Sequence, residues 1–242
     1  MRRWVAEVLR MSTRTRMWAA VLFACFLPSC AVAPPPRYTT RAVVRPRTVA
    51  SAWPRREVLD LALRAYQCGR SQGEFNQEPV LTVIDYSLPS SSKRLWVIDL
   101  ASRRVLFNEL VAHGSNSGET YASEFSNRVG SRQTSIGLFR TDETYYGRHG
   151  LSLRLSGLEP GFNDRARERA IVMHGAPYVS DAVVSTYGSL GRSWGCPALP
   201  EQVNEQVIDR IQGGSAVFAY YPDNGWLHSS RFINCDARVA AR

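Results

Sequence analysis

Hydrophobic residues recur through the central and C-terminal parts of the chain at the spacings of helices and strands. Apolar positions at helical spacing predict a helix from Val58 to Tyr66 that ends at Gly69, and another over Glu201–Ile211. Short apolar runs rich in β-branched and aromatic residues predict strands over 80–88, 94–100, 105–111, 171–173 and 216–221. The pattern therefore predicts a mainly β domain of the α+β class, with a helix on each side of its core sheet.

Two polar stretches interrupt this pattern. Residues 112–127 are rich in Ser, Asn and Gly and predict an irregular surface loop. Because loops on a rigid sheet often line binding sites, His113 in this loop is a candidate substrate contact, and an exposed loop histidine is the alternative. Residues 158–164 predict a second loop, which we expect to cover a cleft.

The N-terminal part of the chain has a different composition. An Arg-rich start precedes the apolar run 17–27, which is typical of an export signal and too short to remain as a membrane-spanning helix. The run 27–30 resembles a bacterial lipobox and predicts lipidation of Cys30, although a cut after Ala33 is a rival and Met11 is an alternative start to Met1.

Residues 31–54 are rich in Pro and Arg and predict an extended tether. We therefore expect a lipoprotein-type signal peptide over 1–29, a tether over 30–54 and one folded domain over 55–242. A chain of 242 residues with 44% hydrophobic content has room for one well-packed domain and an extension.

The positive charge is concentrated outside this folded domain. The formal net charge is +9, of which residues 1–29 carry +4 and residues 30–56 carry +6, leaving −1 for residues 57–242. A nearly neutral domain does not support nucleic-acid binding by a basic face.

The stretch 171–200 holds the candidate chemistry. His174 precedes Gly175 at the end of a predicted strand, and Cys196 follows Gly195 in the run GRSWGCPAL. A free thiol is only partly ionised near neutral pH, so a nucleophilic cysteine needs a base such as imidazole. Cys196 is therefore the candidate nucleophile and His174 its base. A buried structural cysteine is the alternative, since free cysteine is among the most buried residue types.

Glycine before the cysteine has a physical reason in this scheme. Without a Cβ, Gly195 can adopt a positive φ and let the amides of Trp194, Gly195 and Cys196 converge on an oxyanion. Ser193 belongs to the same predicted turn, directly before the helix at residue 201.

The order His-Gly, connector, Ser-x-Gly-Cys resembles the active-site signature of the L,D-transpeptidase catalytic domain family, the YkuD-like peptidoglycan enzymes. The first hairpin, over 80–111, and the run TSIGLF at 134–139 are similar to further landmarks of that family, in the same order. Two positions depart from it. Trp194 stands where many members have a second histidine, and Ala198 stands where an arginine is frequent. The form GRSWGCPAL resembles the murein L,D-transpeptidase branch.

The resemblance implies an L,D-transpeptidase-like β-sandwich or barrel with the nucleophile in a turn before a helix. It implies a periplasmic enzyme of peptidoglycan maturation that needs no cofactor and acts on stem tetrapeptides through a Cys196 thioester. A backbone carbonyl, that of Gly175, would orient His174. Resolution of the thioester by an amine makes a crosslink, whereas resolution by water makes the same protein an L,D-carboxypeptidase.

Arginine pairs with carboxylates, so the arginines near the signature are candidate contacts for the donor peptide. These are Arg148, Arg192 and the run Arg165, Arg167 and Arg169. His149, beside Arg148, is a further candidate.

The remaining histidines and cysteines leave alternatives open. His113, His149 and His174 each precede a glycine and, with Cys196 or an aspartate, would make a zinc-dependent cell-wall amidase possible. A non-catalytic peptidoglycan-binding lipoprotein is a third possibility. In an oxidising envelope Cys68 and Cys235 are candidates for a disulfide, which would leave Cys196 free in the exported domain.

Overall fold

A computed structural model describes residues 53–76 and 78–235 of the chain. The predicted signal peptide, Cys30 and most of the tether lie outside these residues. The elements are, in chain order, α1 (Arg56–Ser71), β1 (Val80–Asp85), β2 (Leu95–Asp99), β3 (Arg104–Glu109), β4 (Gly137–Gly147), β5 (Gly150–Gly157), β6 (Val172–Gly175), α2 (Asp181–Tyr187), β7 (Ala198–Leu199), α3 (Glu201–Ile211), β8 (Ala216–Tyr220) and α4 (Asn224–Ser229). None of the helices in this part of the chain is both long and apolar enough to cross a bilayer.

The strands of the described residues form one eight-stranded sheet in the order β3-β2-β1-β8-β4-β5-β6-β7. The pairs β1/β8 and β6/β7 are parallel, and the other neighbours are antiparallel. An isolated bridge joins Ala112, just after β3, to Ala198 in β7, with the Ala112 amide 2.9 Å from the Ala198 carbonyl oxygen. Because this bridge connects the two ends of the strand order, the sheet is a nearly closed barrel.

Helices cover both faces of the sheet, as the hydrophobic pattern predicts. Along β8, Val217 and Ala219 belong to the buried cluster that includes the apolar side of α3. Phe218 and Tyr220 point to the other face, where they join a cluster formed with α1 and Trp226 of α4. A strand buried on both faces needs apolar residues at successive positions, which explains the continuous run of β8.

The predicted helices are both present, with one change of boundary. Helix α3 has the predicted bounds, whereas α1 continues past Gly69 to Ser71. Gly69 lies inside the helix. Glycine is required at this position because the Phe75 ring occupies the space that a side chain would need: a Cβ at Gly69 would lie 2.5 Å from Phe75 Cε2. This glycine therefore permits a close contact and does not end the helix.

Two helices, α2 and α4, lie in stretches where no helix was predicted. Helix α2 occupies the Ser/Tyr/Gly-rich connector and has no buried residue, so it leaves no apolar periodicity in the sequence. Its signals are local ones: the Ser180 side chain caps its start and Gly188, at φ 75°, ends it. The short helix α4 is similarly capped by Asp223.

The loop over 158–164 does not cover a cleft, so that prediction is wrong. Two polar residues of this loop, Glu159 and Asn163, are buried. Glu159 Oε1 accepts from the Leu138 amide at 2.8 Å, and Asn163 Nδ2 donates to the Leu138 carbonyl at 3.0 Å. The loop is therefore fastened to the start of β4.

Cys68 and Cys235 form a disulfide with their Cα atoms 6.0 Å apart. The bond joins α1 to the segment after α4. Cys196 is the free cysteine of the described residues.

Candidate active site

The pairing of β6 with β7 brings the candidate nucleophile and base to one cleft. His174 in β6 is the register partner of Ala198 in β7, and two positions earlier the Val172 amide lies 3.5 Å from Cys196 Sγ. Because alternate residues of a strand share a face, Val172 and His174 project to the same side. Cys196 and His174 both line a cleft of about 440 Å³ on that side. His174 lies within the strand, one residue beyond the predicted end.

A backbone carbonyl fixes the orientation of the His174 ring. Its Nδ1 lies 2.8 Å from the Gly175 carbonyl oxygen, so Nδ1 carries the proton and Nε2 is the free base. Burial lowers the pKa of His174, the Gly175 hydrogen bond opposes this, and His149 and Arg148 lower the pKa further. The ring is therefore neutral at neutral pH.

The Cys196 thiol is partly buried, and its surroundings favour the protonated form. Burial raises its pKa, while the Val172 amide, the Arg169 guanidinium and the cysteine's own amide act in the opposite direction. Within the described residues no hydrogen bond joins the thiol to His174; Sγ lies 3.8 Å from the Ala170 carbonyl oxygen. A raised thiol pKa beside a lowered imidazole pKa favours a neutral pair over a thiolate–imidazolium ion pair.

The turn before Cys196 requires glycine. Gly195 has a φ of 123°, and a Cβ there would lie 2.7 Å from the Gln133 carbonyl oxygen. The Gly195 amide, however, donates to Ser193 Oγ at 3.1 Å, and Ser193 Oγ donates to the Cys196 carbonyl at 2.7 Å. The prediction that all three amides of the turn face an oxyanion is therefore wrong for Gly195, and the amides of Trp194 and Cys196 are the remaining candidates.

Trp194 forms part of the cleft wall, with 64% of the residue exposed. Two guanidinium groups flank its indole: the Cζ atoms of Arg132 and Arg148 lie 4.8 Å and 5.9 Å from the ring centroid. Such contacts between arginine and tryptophan are attractive and order the side chains of the rim.

Four of the predicted substrate contacts line the cleft. These are Arg148, His149, Arg169 and Arg192. Arg148 Nε donates to His149 Nε2 at 3.1 Å, and Arg192 forms an ion pair with Glu119 at 2.5 Å. Arg148 thus brings positive charge to the lining of the cleft, whereas the charge of Arg192 is paired with that of Glu119.

His113 is neither a substrate contact nor an exposed loop histidine, so both predictions for it are wrong. It is fully buried. Its Nδ1 lies 2.7 Å from Arg94 Nη2 and therefore accepts, which leaves Nε2 to donate to the Gly118 carbonyl at 3.2 Å. Burial and the neighbouring Arg94 lower the pKa of His113 to about 4. Its role is to hold the loop over 112–127 on the barrel.

Arg169 is the important residue of the run of three arginines. Arg165 pairs with Glu168 on the surface, and Arg167 pairs with Asp142 and Glu143. Arg169 instead lines the cleft, and burial lowers its pKa, an effect that Cys196 opposes. Its two Nη atoms bind four oxygens of the segment that lies under the Gly195 turn: the Ser126 and Gln133 carbonyls and the Ser131 and Ser135 hydroxyls.

Sequence reasoning missed three further residues of the cleft, which are Tyr145, Ser152 and Tyr178. Burial and, secondarily, the nearby Cys196 together raise the pKa of Tyr178 to about 12. A Cβ at Gly191 would lie 2.5 Å from Tyr178 Cβ, so this glycine makes room for the tyrosine. No local motif marks these positions, because they come together only through the strand order.

The histidines do not gather as a zinc site would require. His113 is buried beside Arg94, while the His149 and His174 rings stack on each other. In residues 53–76 and 78–235 no three His, Cys, Asp or Glu side chains are grouped so as to hold a metal ion.

Comparisons with known proteins agree with the signature. A model of the L,D-transpeptidase catalytic domain matches residues 52–220. No curated protein matches the chain.

Several solved structures are similar in fold. One is an L,D-transpeptidase from Mycobacterium smegmatis, at 15% identity over 60% of this chain and 59% of that chain, with a TM-score of 0.38. Another is the helical cell shape determining protein Pgp2 from Campylobacter jejuni, at 13% identity over 68% of this chain and 57% of that one, with a TM-score of 0.39. A third is an L,D-transpeptidase from Xylanimonas cellulosilytica, at 15% identity over 70% of this chain and 95% of that one, with a TM-score of 0.34.

The chain covers 59% of the length of the first of these structures. The family model, by contrast, spans most of the described residues, from the start of the domain to the end of β8. The chain therefore belongs to the L,D-transpeptidase catalytic domain family.

Proposed function

We propose that this protein is a peptidoglycan L,D-transpeptidase with Cys196 as nucleophile and His174 as general base. One observation carries the proposal: the free thiol and an imidazole with a fixed tautomer line the same cleft. Membership of the family supports a peptidoglycan substrate, because L,D-transpeptidases act on stem peptides in the cell envelope.

The reaction begins from the neutral pair. When the donor stem peptide occupies the cleft, Cys196 Sγ attacks the carbonyl carbon between the diamino acid and the terminal D-residue, and His174 Nε2 takes the thiol proton. The raised pKa of the thiol and the lowered pKa of the imidazole both support proton transfer during attack over a preformed ion pair. Catalytic hydrogen bonds are often long before substrate binds, so the absence of a direct hydrogen bond between Cys196 and His174 agrees with this order of steps.

The tetrahedral intermediate places negative charge on the former carbonyl oxygen. The amides of Cys196 and Trp194 are its donors, because Ser193 already takes the Gly195 amide. The C–N bond then breaks, the His174 imidazolium gives its proton to the departing amine, and the Cys196 thioester remains. An acceptor amine resolves the thioester to a crosslink, and water resolves it to the carboxypeptidase product.

The charge of the cleft supports an anionic donor. Arg148, Arg169 and Arg192 line it, and stem peptides carry carboxylates. Many family members have an arginine two residues after the cysteine, where this chain has Ala198. The three arginines of this cleft come from other positions in the chain.

Attachment to the membrane through a lipid on Cys30 is part of the proposal and rests on the sequence alone. Such an anchor would hold the domain at the membrane surface with its tether reaching toward the cell wall.

The proposal is tested by incubating the protein with a tetrapeptide-containing muropeptide and following release of the terminal D-amino acid. We expect release by the wild type and none by Cys196→Ala, with the acyl-enzyme visible in the intact mass of the wild type. Equal release by Cys196→Ala, in a folded protein, would contradict the proposal.

A further inference from the structure

The peptide unit between Gly195 and Cys196 is held from one side. Its carbonyl, on Gly195, accepts a hydrogen bond of 3.4 Å from Thr134 Oγ1. Its amide N–H, on Cys196, forms no hydrogen bond to another residue in the described part of the chain. We propose that Thr134 is a positioning residue, which fixes this peptide unit so that the Cys196 amide faces the oxyanion. The inference rests on the proposed function, in which acylation of Cys196 creates that oxyanion.

The two ends of a peptide unit cannot be oriented separately. The unit is planar and trans, so its C=O and N–H point in opposite directions, and the described residues contain no cis peptide bond. A group that binds the Gly195 carbonyl therefore also sets the direction of the Cys196 N–H. Gly195 has no Cβ to restrict rotation of the unit. Without a partner for its carbonyl, the unit could rotate and turn a second oxygen toward the oxyanion.

The surroundings of the Thr134 hydroxyl decide where its one proton goes. The Gly114 amide donates to Oγ1 at 2.9 Å, so the hydroxyl is an acceptor in that contact and keeps its proton for the Gly195 carbonyl. Only 2% of Thr134 is exposed, which excludes bulk water from the hydroxyl. At 3.4 Å the bond is longer than usual, as active-site hydrogen bonds often are before substrate binds.

The backbone around Thr134 gives this hydroxyl a fixed support. The Thr134 amide donates to Ser117 Oγ at 2.8 Å, and the Thr134 carbonyl accepts from the Ser126 amide at 3.0 Å. Gly114 lets the segments approach closely, since a Cβ there would lie 3.0 Å from Gly195 Cα. Supporting hydrogen bonds of this kind keep a reacting geometry precise.

The Cys196 amide is the donor of the turn that lies beside the thiol. It is among the groups that lower the pKa of Cys196, which agrees with an N–H directed to the side of Sγ. The Gly195 amide cannot replace it, because that amide donates to Ser193 Oγ. The direction of the Cys196 amide therefore bears on acylation, and Thr134 controls it from outside the cleft.

The test separates acyl transfer from thiol reactivity in the full-length protein. Acylation by a stem tetrapeptide needs an oxyanion hole, whereas alkylation by iodoacetamide forms a C–S bond and releases iodide without an oxyanion. Intact mass measures both rates, with alkylation followed at a pH that ionises the thiol. The variants are Thr134→Val, which replaces the hydroxyl with a methyl group, and Thr134→Ser, which keeps the hydroxyl.

Thr141→Val is the matched control. Thr141 is a fully buried threonine of β4, its Oγ1 lies 2.6 Å from the Ile211 carbonyl oxygen, and it does not line the cleft. The control therefore also loses a buried hydroxyl and its hydrogen bond, but away from the turn. Urea unfolding compares the stability of the variants.

We expect Thr134→Val to lower the maximal acylation rate about tenfold to a hundredfold with an unchanged donor KM, because the oxyanion exists only during reaction. Its alkylation rate should equal that of the wild type. Thr134→Ser and Thr141→Val should acylate as the wild type does, although Thr141→Val is less stable.

A folded Thr134→Val that acylates at the wild-type rate would overturn the inference. An equal acylation defect in Thr134→Ser would also overturn it, because the hydroxyl would not be responsible, and so would an equal defect in Thr141→Val. Parallel loss of alkylation in Thr134→Val would assign Thr134 to holding the thiol instead. If Thr134→Val does not fold, Thr134→Ala removes the same hydroxyl and makes the same comparison. These outcomes leave the proposed function standing, whereas absence of acyl-enzyme in the wild type would remove both.

Discussion

The His149 and His174 rings stack with their centroids 4.5 Å apart and their planes at 26°. His149 lies at the turn between β4 and β5, and Arg148 donates to its Nε2, so the hairpin tip brings an aromatic ring and a cation onto the candidate base. Burial is the largest cause of the lowered pKa of His174, and His149 and Arg148 add to it. This hairpin therefore tunes the base.

We predict that His149→Ala raises the pKa of His174. The substitution removes a ring that buries the His174 imidazole and an electrostatic interaction that lowers its pKa. A general base works only when neutral, so the acid limb of the acylation rate should move to higher pH. A pH–rate profile measures this. His228→Ala is the control, since His228 is an exposed histidine of α4. An acid limb that does not move would show that His149 has no influence on the base.

The conformation of Gly195 gives a second prediction. In Gly195→Ala the methyl group would meet the Gln133 carbonyl at 2.7 Å in a φ region that alanine rarely adopts. We expect a loss of about 1–3 kcal/mol in the free energy of unfolding and a strong fall in acylation rate, because the turn must move. Urea unfolding and intact-mass kinetics measure the two effects.

Gly130→Ala is the matched control for this change. Gly130 also has a positive φ, 74°, but nothing lies within 4 Å of a Cβ placed there. It should show part of the stability loss without the loss of acylation. Equal acylation defects in both variants would mean that strain alone, rather than the position beside Cys196, explains the result.

Arg169 gives a third prediction. Its guanidinium lowers the pKa of the Cys196 thiol and binds the segment beneath the turn. We expect Arg169→Ala to raise the pKa of Cys196, so that alkylation of the thiol needs a higher pH, and to slow acylation. Arg167→Ala, which removes a surface ion pair, is the control. A thiol pKa that is the same in both variants would contradict the role assigned to Arg169.

The disulfide gives a fourth prediction. The bond between Cys68 and Cys235 closes a loop with a sequence separation of 167 residues, for which chain entropy predicts about 5 kcal/mol of stabilisation at most. We expect Cys68→Ser with Cys235→Ser to unfold at a lower urea concentration and, when folded, to keep the acylation rate, because the bond lies in the other core cluster from Cys196. Unchanged stability would show that the bond contributes little.

The sequence predicted α1, α3 and several of the strands whose residues face a core. Helix α3 was predicted with its observed bounds because Val207, Ile208 and Ile211 pack on the sheet at helical spacing. Helix α2 was missed because it buries no residue, and a surface helix leaves only its caps as a signal. The strand order was not predicted for a different reason: it depends on contacts between residues far apart in the chain.

Within the candidate site, local motifs predicted what local geometry determines. The Gly-Cys turn gave Gly195 its positive φ, and the His-Gly pair gave His174 its carbonyl partner. The environment of His113 was not predictable, because Arg94, which directly precedes β2, reaches it from an earlier part of the chain. For the same reason the pattern of arginines did not distinguish Arg169 from its exposed neighbours.

The measurement that tests the central claim most directly is peptide mapping by mass spectrometry after incubation with the carbapenem imipenem, a β-lactam that acylates nucleophilic thiols. We predict one adduct on the wild type, located on Cys196, none on Cys196→Ala, and slower formation in His174→Ala. An adduct on another residue, an adduct that persists in Cys196→Ala, or an unmodified wild type would contradict the assignment of Cys196 as the nucleophile.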